Sequence, residues 1–542
     1  MRSIKGILRG ALLFALPLAV VVMVTLGTSA AANAGSNTKV VAVTLDPAPD
    51  GNGIIVIGLT LPKLNDIGQA AFSGFISNGM GGNPSDNATL LSDGNTLAQV
   101  AREGQSAPDG NGILDDFIDL NFPILNGSLN NTGKVALRTS YIGSHGGSSE
   151  DSGIVVGNGN TLTQIARAGQ PSPDGNGILS YVSIPDINDA GQVAFAATLI
   201  GSNSSLTSDV GVYRNDGNVL TQIARTGQAA PDGNGIIGRT TTFHGSSLNA
   251  LGQVAFGVAI TPTPDGIGGD EALLLGDGDK LIQIVRSGQP APDGNGDLVY
   301  GQTLGLAAPA LNEMGQVAFS AYVTGTVDGL NDGGGVFLSD GSSLTTIARR
   351  GQPAPDGNGS FGTFSTPRSL NNSGQVAFRA GFIDSSLGFT DRGIVRGDGV
   401  TLEQIARHGQ LAPDGDGTYR EFYHPAINDA GQVVFGAVFL GGQNIPRESR
   451  NGDRAIVFYD DELGLVPVAR VGDPLLGSTI VDFNFHGTEK LGFNERGQVA
   501  FQFFLEDYRR GIAIWSPVPE PGAITYLALA GGGLFTCFRR GL

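Results

Sequence analysis

The pattern Asn-x-x-Gly-Gln-Val-Ala-Phe begins, with few departures such as Lys134 and Leu137 in the second copy, at Asn65, Asn130, Asn188, Asn249, Asn312, Asn371, Asn428 and Asn494. The spacings are 65, 58, 61, 63, 59, 57 and 66, so the repeating unit is about 61 residues long. Such a chain must stack or circle copies of one small unit, because each unit can bury its apolar face only against another copy. Two more elements keep the period. Ile-Ala-Arg-x-Gly-Gln places its arginine at Arg102, Arg167, Arg225, Arg286, Arg349, Arg407 and Arg470. Pro-Asp-Gly-Asn-Gly places its aspartate at Asp50, Asp109, Asp174, Asp232, Asp293, Asp356 and Asp414, the last copy reading Pro-Asp-Gly-Asp-Gly.

Each unit reads as four strands. In the third, Ser180–Pro185 is a short apolar run, followed by Asn188-Asp189-Ala190-Gly191, with Asn and Gly where a type I turn favours them. Gln192–Ile200 alternates, with Val193, Phe195, Ala197 and Leu199 predicted on one buried face. Gly211–Arg214 and Leu220–Arg225 complete the set around an Asp216-Gly217 hairpin signal. Pro231-Asp232-Gly233 turns the chain into the next unit. With 85 Gly, 27 Pro and only 15% charged residues, the composition suits many short strands and tight turns. No helical period interrupts the repeats.

Four antiparallel strands per unit suggest the blades of a β-propeller. The ends fix the count. Eight Asn-x-x-Gly turns accompany only seven Ile-Ala-Arg strands, and Val40-Val41-Ala42-Val43 precedes Pro49-Asp50-Gly51 as Ile223-Ala224-Arg225 precedes Pro231-Asp232-Gly233. The last unit stops after Gly511–Trp515, so the N-terminal strand is predicted to complete its blade. The expected fold is all-β: a single eight-bladed propeller over residues 35–516. An open array of hairpins would have no use for this complementary deficit. Two propellers or sandwiches would need a linker, and none interrupts the repeats.

Charge narrows the partners. Lys+Arg 32 against Asp+Glu 50 gives −18. Removing Arg2, Lys5, Arg9, Arg539 and Arg540 with the two ends, and Glu520 with them, gives −18 − 5 + 1 = −22 for the core. Such a surface repels nucleic acid and anionic lipid. The one cysteine, Cys537, lies in the C-terminal apolar run, so the core has neither disulfide nor thiol chemistry.

Both ends read as addresses. Arg2, Lys5 and Arg9, an apolar run from Ala11 to Leu26, and Ala32-Asn33-Ala34 have the order of a secretory signal peptide over residues 1–34, cut after Ala34. At the other end, residues 517–542 contain Val518-Pro519-Glu520-Pro521, an uncharged apolar stretch Gly522–Phe538 and Arg539-Arg540. Seventeen apolar residues are the lower limit for a membrane-spanning helix, with the arginines on the cytoplasmic side. This tail resembles the PEP-CTERM sorting tail of Gram-negative bacteria. The resemblance implies an exosortase as processing partner, a destination at the envelope or in the extracellular matrix, and an exopolysaccharide setting. The units themselves resemble tandem-repeat proteins named for their NxxGxxAF motif, over about residues 40–516.

The recurring polar residues offer two chemistries. Calcium takes six to eight oxygens, and Asp293, Asn295 and Asp297, with Asp414 and Asp416, are the copies richest in donors. The plainer reading is a turn whose Asp and Asn side chains satisfy local amides. The seven arginines could fork onto acidic sugars. Six of the seven precede an Asp by seven residues, however, as Arg225 does Asp232, which favours an ion pair bracing strand end to turn. Catalytic signatures are thin. His145, His244, His408, His424 and His486 share no register, although His244 and His424 both shortly precede their unit's Asn. The single Trp515 excludes the repeated tryptophan docking of quinone-dependent propeller dehydrogenases.

The sequence therefore predicts an exported, non-enzymatic repeat protein that binds glycan or protein partners. Recognition loops are expected in the inserts Ser202–Asp209, Thr261–Glu271, Thr324–Gly334 and Gly441–Asp453 on one rim. The rival reading is an extracellular hydrolase or lyase acting on polysaccharide from the central channel.

Overall fold

A computed structural model describes residues 37–517, apart from 57–59, 78–84, 118–126, 144–150, 203–208, 218, 241–246, 262–269, 302–308, 328–332, 389–390, 443–451 and 486–491. The predicted signal peptide with Ala34, and the tail with Val518, Pro519, Glu520, Pro521, Arg539 and Arg540, lie outside the described residues. So do the cores of the four inserts.

The alternating apolar runs form second strands, and each pairs with its neighbours to make one of eight antiparallel sheets. In the third, Val193–Ile200 pairs with Asp209–Asn215, which pairs in turn with Leu220–Arg225. The first strand comes in two pieces, Ile178–Val182 and Asp186–Ile187, both paired with Val193–Ile200. The second piece was not legible as a separate strand. The Asn turn stands at one end of this strand, hereafter the turn face, and the Pro-Asp-Gly loop stands at the other.

The sequence anticipates one buried face on the second strand; the structure buries both. Val193, Phe195, Ala197 and Leu199 pack on Ala136, Ile154 and Ala166 of the preceding blade. Ala194 faces the other way with Val212 and Ile223, against Val254 and Phe256 of the next. Sheets arranged radially cover each other on both sides, so apolar residues are buried on both faces of the strand. Bulky residues on one side and alanines on the other let neighbouring sheets approach.

The fourth strands share a bulge. In the third blade Val212 pairs with Ala224 and Tyr213 with Gln222, leaving Ile223 as the extra residue. The bulge bends the strand and turns Ile223 toward the next blade, where a Cβ on Gly276 would stand only 2.8 Å from its Cγ2. Thr38–Val43 pairs with Arg510–Trp515 and carries the same irregularity between Val40 and Ala42. The N-terminal strand is thus a fourth strand in detail as well as in position. It completes the eighth blade, and the fold is an eight-bladed propeller.

A ring of hydrogen bonds records the closure. Asn65 Nδ2 donates to the carbonyl of Asn130, and so on through Asn188, Asn249, Asn312, Asn371, Asn428 and Asn494, which donates to Asn65, all at 2.9–3.3 Å. All eight asparagines are buried. Each Oδ1 meanwhile accepts the N–H four residues on, as from Gln192 to Asn188, and holds its own turn. Asn494→Asp keeps the turn acceptor and loses the donor to Asn65. It is expected to cost about 1–3 kcal/mol, read as a lower denaturation midpoint with an unchanged slope.

Candidate functional site

The arginines lie at the loop face, opposite the Asn turns. Two residues beyond the bulge, Arg225 pairs with Gly211, which sets its side chain beside Asp209. Nε and Nη2 donate to the two Asp209 oxygens at 3.1 and 2.6 Å, Nη1 to Asp174 at 2.6 Å and Nη2 to the Asn176 carbonyl at 2.6 Å. The brace is therefore real, but its partner differs from the expected one. Arg225 binds the Asp that opens its own blade, and Asp232, seven residues on, binds Arg286 of the next. Sequence neighbours across a blade boundary belong to different sheets, whereas the two ends of one blade meet at the same face.

Two-carboxylate braces also join Arg102 to Asp50 and Asp86, Arg167 to Asp109 and Asp151, and Arg286 to Asp232 and Asp270. Arg407 joins Asp356 and Asp391, and Arg470 joins Asp414 and Asp453. Aromatic rings cover several guanidinium groups, with Tyr141 3.8 Å from Arg167 and Phe382 4.0 Å from Arg407. Burial pushes the Asp174 carboxyl up. The Ser172 hydroxyl, the Asn176 N–H and the Arg225 charge outweigh that and hold it below the ordinary carboxylate value. Asp109, Asp356 and Asp414 are depressed by the same balance.

The residues considered for calcium belong to these braces. Asp293 Oδ2 accepts from Arg349 at 2.5 Å while Oδ1 accepts the Asn295 N–H. The Asn295 side-chain oxygen accepts from Val327 N, and Asp297 sits in a strand opposite Thr324. Asp414 repeats the arrangement with Arg470 and the Asp416 N–H. These oxygens hold a guanidinium and a turn amide. Among the described residues no group of three or more His, Cys, Asp or Glu side chains is placed to bind a metal ion. His145, His244 and His486 fall outside the described residues. The described pair, His408 and His424, sit on different elements: His408 N bonds the Arg392 carbonyl just past a fourth strand, and His424 follows Thr418–Phe422.

The concave site is the central channel at the turn face, a cavity of about 440 Å³ lined from all eight blades. Its rim is set by the residue after each Asn. Asp66 N donates to Asn131, Asn131 N to Asp189, Ala250 N to Glu313, Glu313 N to Asn372, Asn372 N to Asp429, Asp429 N to Glu495, and Glu495 N back to Asp66. The gap comes at Ala250, which has no side-chain oxygen to offer Asp189. Five carboxylates thus ring the mouth, each accepting at least one backbone amide. Below them Asp186 accepts the Ser128 hydroxyl and the Leu248 N–H. Neither the second brace carboxylate nor this rim was read from the sequence. The signals were present: Asp, Glu or Asn follows the motif Asn in seven of eight copies, and Asp stands sixteen or seventeen residues before six of the arginines.

A family model matches residues 10–270 and again 258–525. The chain belongs to the family of unknown function DUF7453. No curated protein matches it. Among solved structures it is similar to the β-propeller domain of the Trilobed protease from Pyrococcus furiosus, described as having an open velcro topology. That match is 10% identical, covers 77% of this chain and 99% of the other, and has a TM-score of 0.37. An oligogalacturonate lyase in complex with manganese is 12% identical over 90% of this chain and 98% of its own, with a TM-score of 0.34. A Trypanosoma rangeli sialidase is 9% identical over 89% and 92%, with a TM-score of 0.29. At these values the likeness carries no argument about activity, and the blade count rests on the strand pairing.

Two outcomes follow for the braces. Asp391 has a fully buried side chain, so Arg407→Ala strands a carboxylate and is expected to cost about 3–5 kcal/mol. Replacing both with apolar residues, Arg407→Met with Asp391→Leu, recovers much of that loss in chemical denaturation. The depressed carboxylates stabilise the fold above their unfolded pKa, and this contribution disappears as pH falls through their lower folded values. Melting temperature should therefore hold from neutral pH down to about pH 4 and drop steeply below it.

Proposed function

We propose that this protein is an exported, non-enzymatic scaffold of the cell envelope or extracellular matrix that binds glycan or protein partners in an exopolysaccharide setting. The observation that carries this reading is the commitment of the recurring polar residues to architecture. The asparagines close the ring, and the arginines with their aspartates brace the blades. Recognition is left to what differs between blades, on a rigid closed scaffold where variable loops usually bind. The signal peptide and the PEP-CTERM-like tail support export, with an exosortase as the processing partner. The channel supports a second reading, a hydrolase or lyase acting on polysaccharide, because five carboxylates surround a cavity large enough for a sugar unit.

Co-sedimentation of the purified chain with the producing cell's exopolysaccharide, with and without a calcium chelator, tests the first reading. Binding that survives chelation is expected, since the loop carboxylates already hold arginines. No binding in either condition would refute the glycan form and turn the search to protein partners. New reducing ends or unsaturated products on incubation would favour the second reading instead.

A further inference from the structure

One blade breaks the brace pattern. In six blades the guanidinium meets two carboxylates. In the fifth, Gly335 pairs with Arg349 as Gly211 pairs with Arg225, which puts Gly333 in the register that Asp209 fills in the third. Arg349 keeps Asp293 and the Asn295 carbonyl, at 2.5 and 2.7 Å. Only 5% of the residue is exposed, yet its buried Nε has no partner.

The next residue compounds the difference. The other braces are followed by Glu103, Ala168, Thr226, Ser287, His408 and Val471, and this one by Arg350. Its side chain crosses the missing aspartate's position. A Cβ on Gly333 would stand 2.4 Å from Arg350 Cδ and 3.4 Å from Arg350 Nε, and that Nε is also buried without a partner. One arginine to two carboxylates elsewhere becomes two arginines to one, Asp293, among the described residues. Inside a strongly acidic protein, two buried cationic donors without an acceptor are costly to keep. The six two-carboxylate blades show which chemistry satisfies this position: a carboxylate lying against the guanidinium edge.

We propose that the fifth blade holds a binding slot for a carboxylate-bearing ligand, with Arg349 Nε and Arg350 Nε as its donors, the ligand's carboxylate taking the place of the absent aspartate as the Arg350 side chain that now crosses it swings aside. A uronate of an acidic polysaccharide is the natural ligand class. The identification of that ligand rests on the binding reading above, whereas the slot itself does not. The two fail separately, because a free carboxylate reports the slot and co-sedimentation reports the function.

The test is calorimetric titration of the full chain in low-salt buffer with acetate, galacturonate and galactose. Acetate and galacturonate should bind at one site and galactose should not, and added salt should weaken the binding. Arg350→Gln, which leaves Arg349 and Asp293 in place, should weaken binding about tenfold. Gly333→Asp returns the carboxylate and should abolish binding. Gly333 lies at φ +155, so if that variant fails to fold, the Arg350→Gln comparison decides. Absence of binding by either carboxylate, or equal affinity in Arg350→Gln, overturns the proposal.

Discussion

A carboxamide has an oxygen and an amide nitrogen on one short stem, and this fold depends on using them in opposite directions. The motif asparagine points its oxygen back to hold its own turn and its nitrogen forward to the next blade's carbonyl. Aspartate has no donor and serine reaches less far, so the two roles together call for asparagine. Each blade is thereby positioned by its predecessor at the channel wall, where the sheets come closest. The rim residues repeat the logic one position later, with backbone amides donating to neighbouring side chains.

At the opposite face the arginine does for one blade what the asparagine does between blades. It ties the loop that opens a sheet to the strands that close it, Asp174 and Asp209 through Arg225. The first and fourth strands are the edges of a sheet and do not touch. A long planar donor with five N–H groups can span that gap. Burying it also makes the carboxylates obligatory, and the fifth blade departs from that stoichiometry.

Much of this architecture was legible in the sequence, and the reason is repetition. One copy of Leu220–Arg225 says strand with little authority, but seven copies and an eighth at Thr38–Val43 leave few topologies open. What stayed hidden was pairing in space. The seven-residue separation of Arg225 and Asp232 was visible, but the blade boundary between them was not, and the true partner Asp174 is 51 residues away. The two-sided burial of Val193–Ile200 was missed because alanine at 194 and 196 looks like a solvent face until a second sheet is packed on it. The inserts favoured for recognition lie mostly outside the described residues.

The joining of the chain's first strand to its last has a consequence in time. Arg510 N reaches Thr44 Oγ1 across 466 residues of sequence, among the longest loops this chain can close. Strand Thr38–Val43 is made before the eight second strands and waits for Arg510–Trp515, made after them, while each intervening blade can fold on local contacts. A chain halted anywhere in between has an arc whose two end blades each leave an apolar sheet face uncovered, the kind of surface that invites aggregation and proteolysis. Closure of the ring thus waits for the eighth blade, and the assembled wheel certifies that no blade is missing.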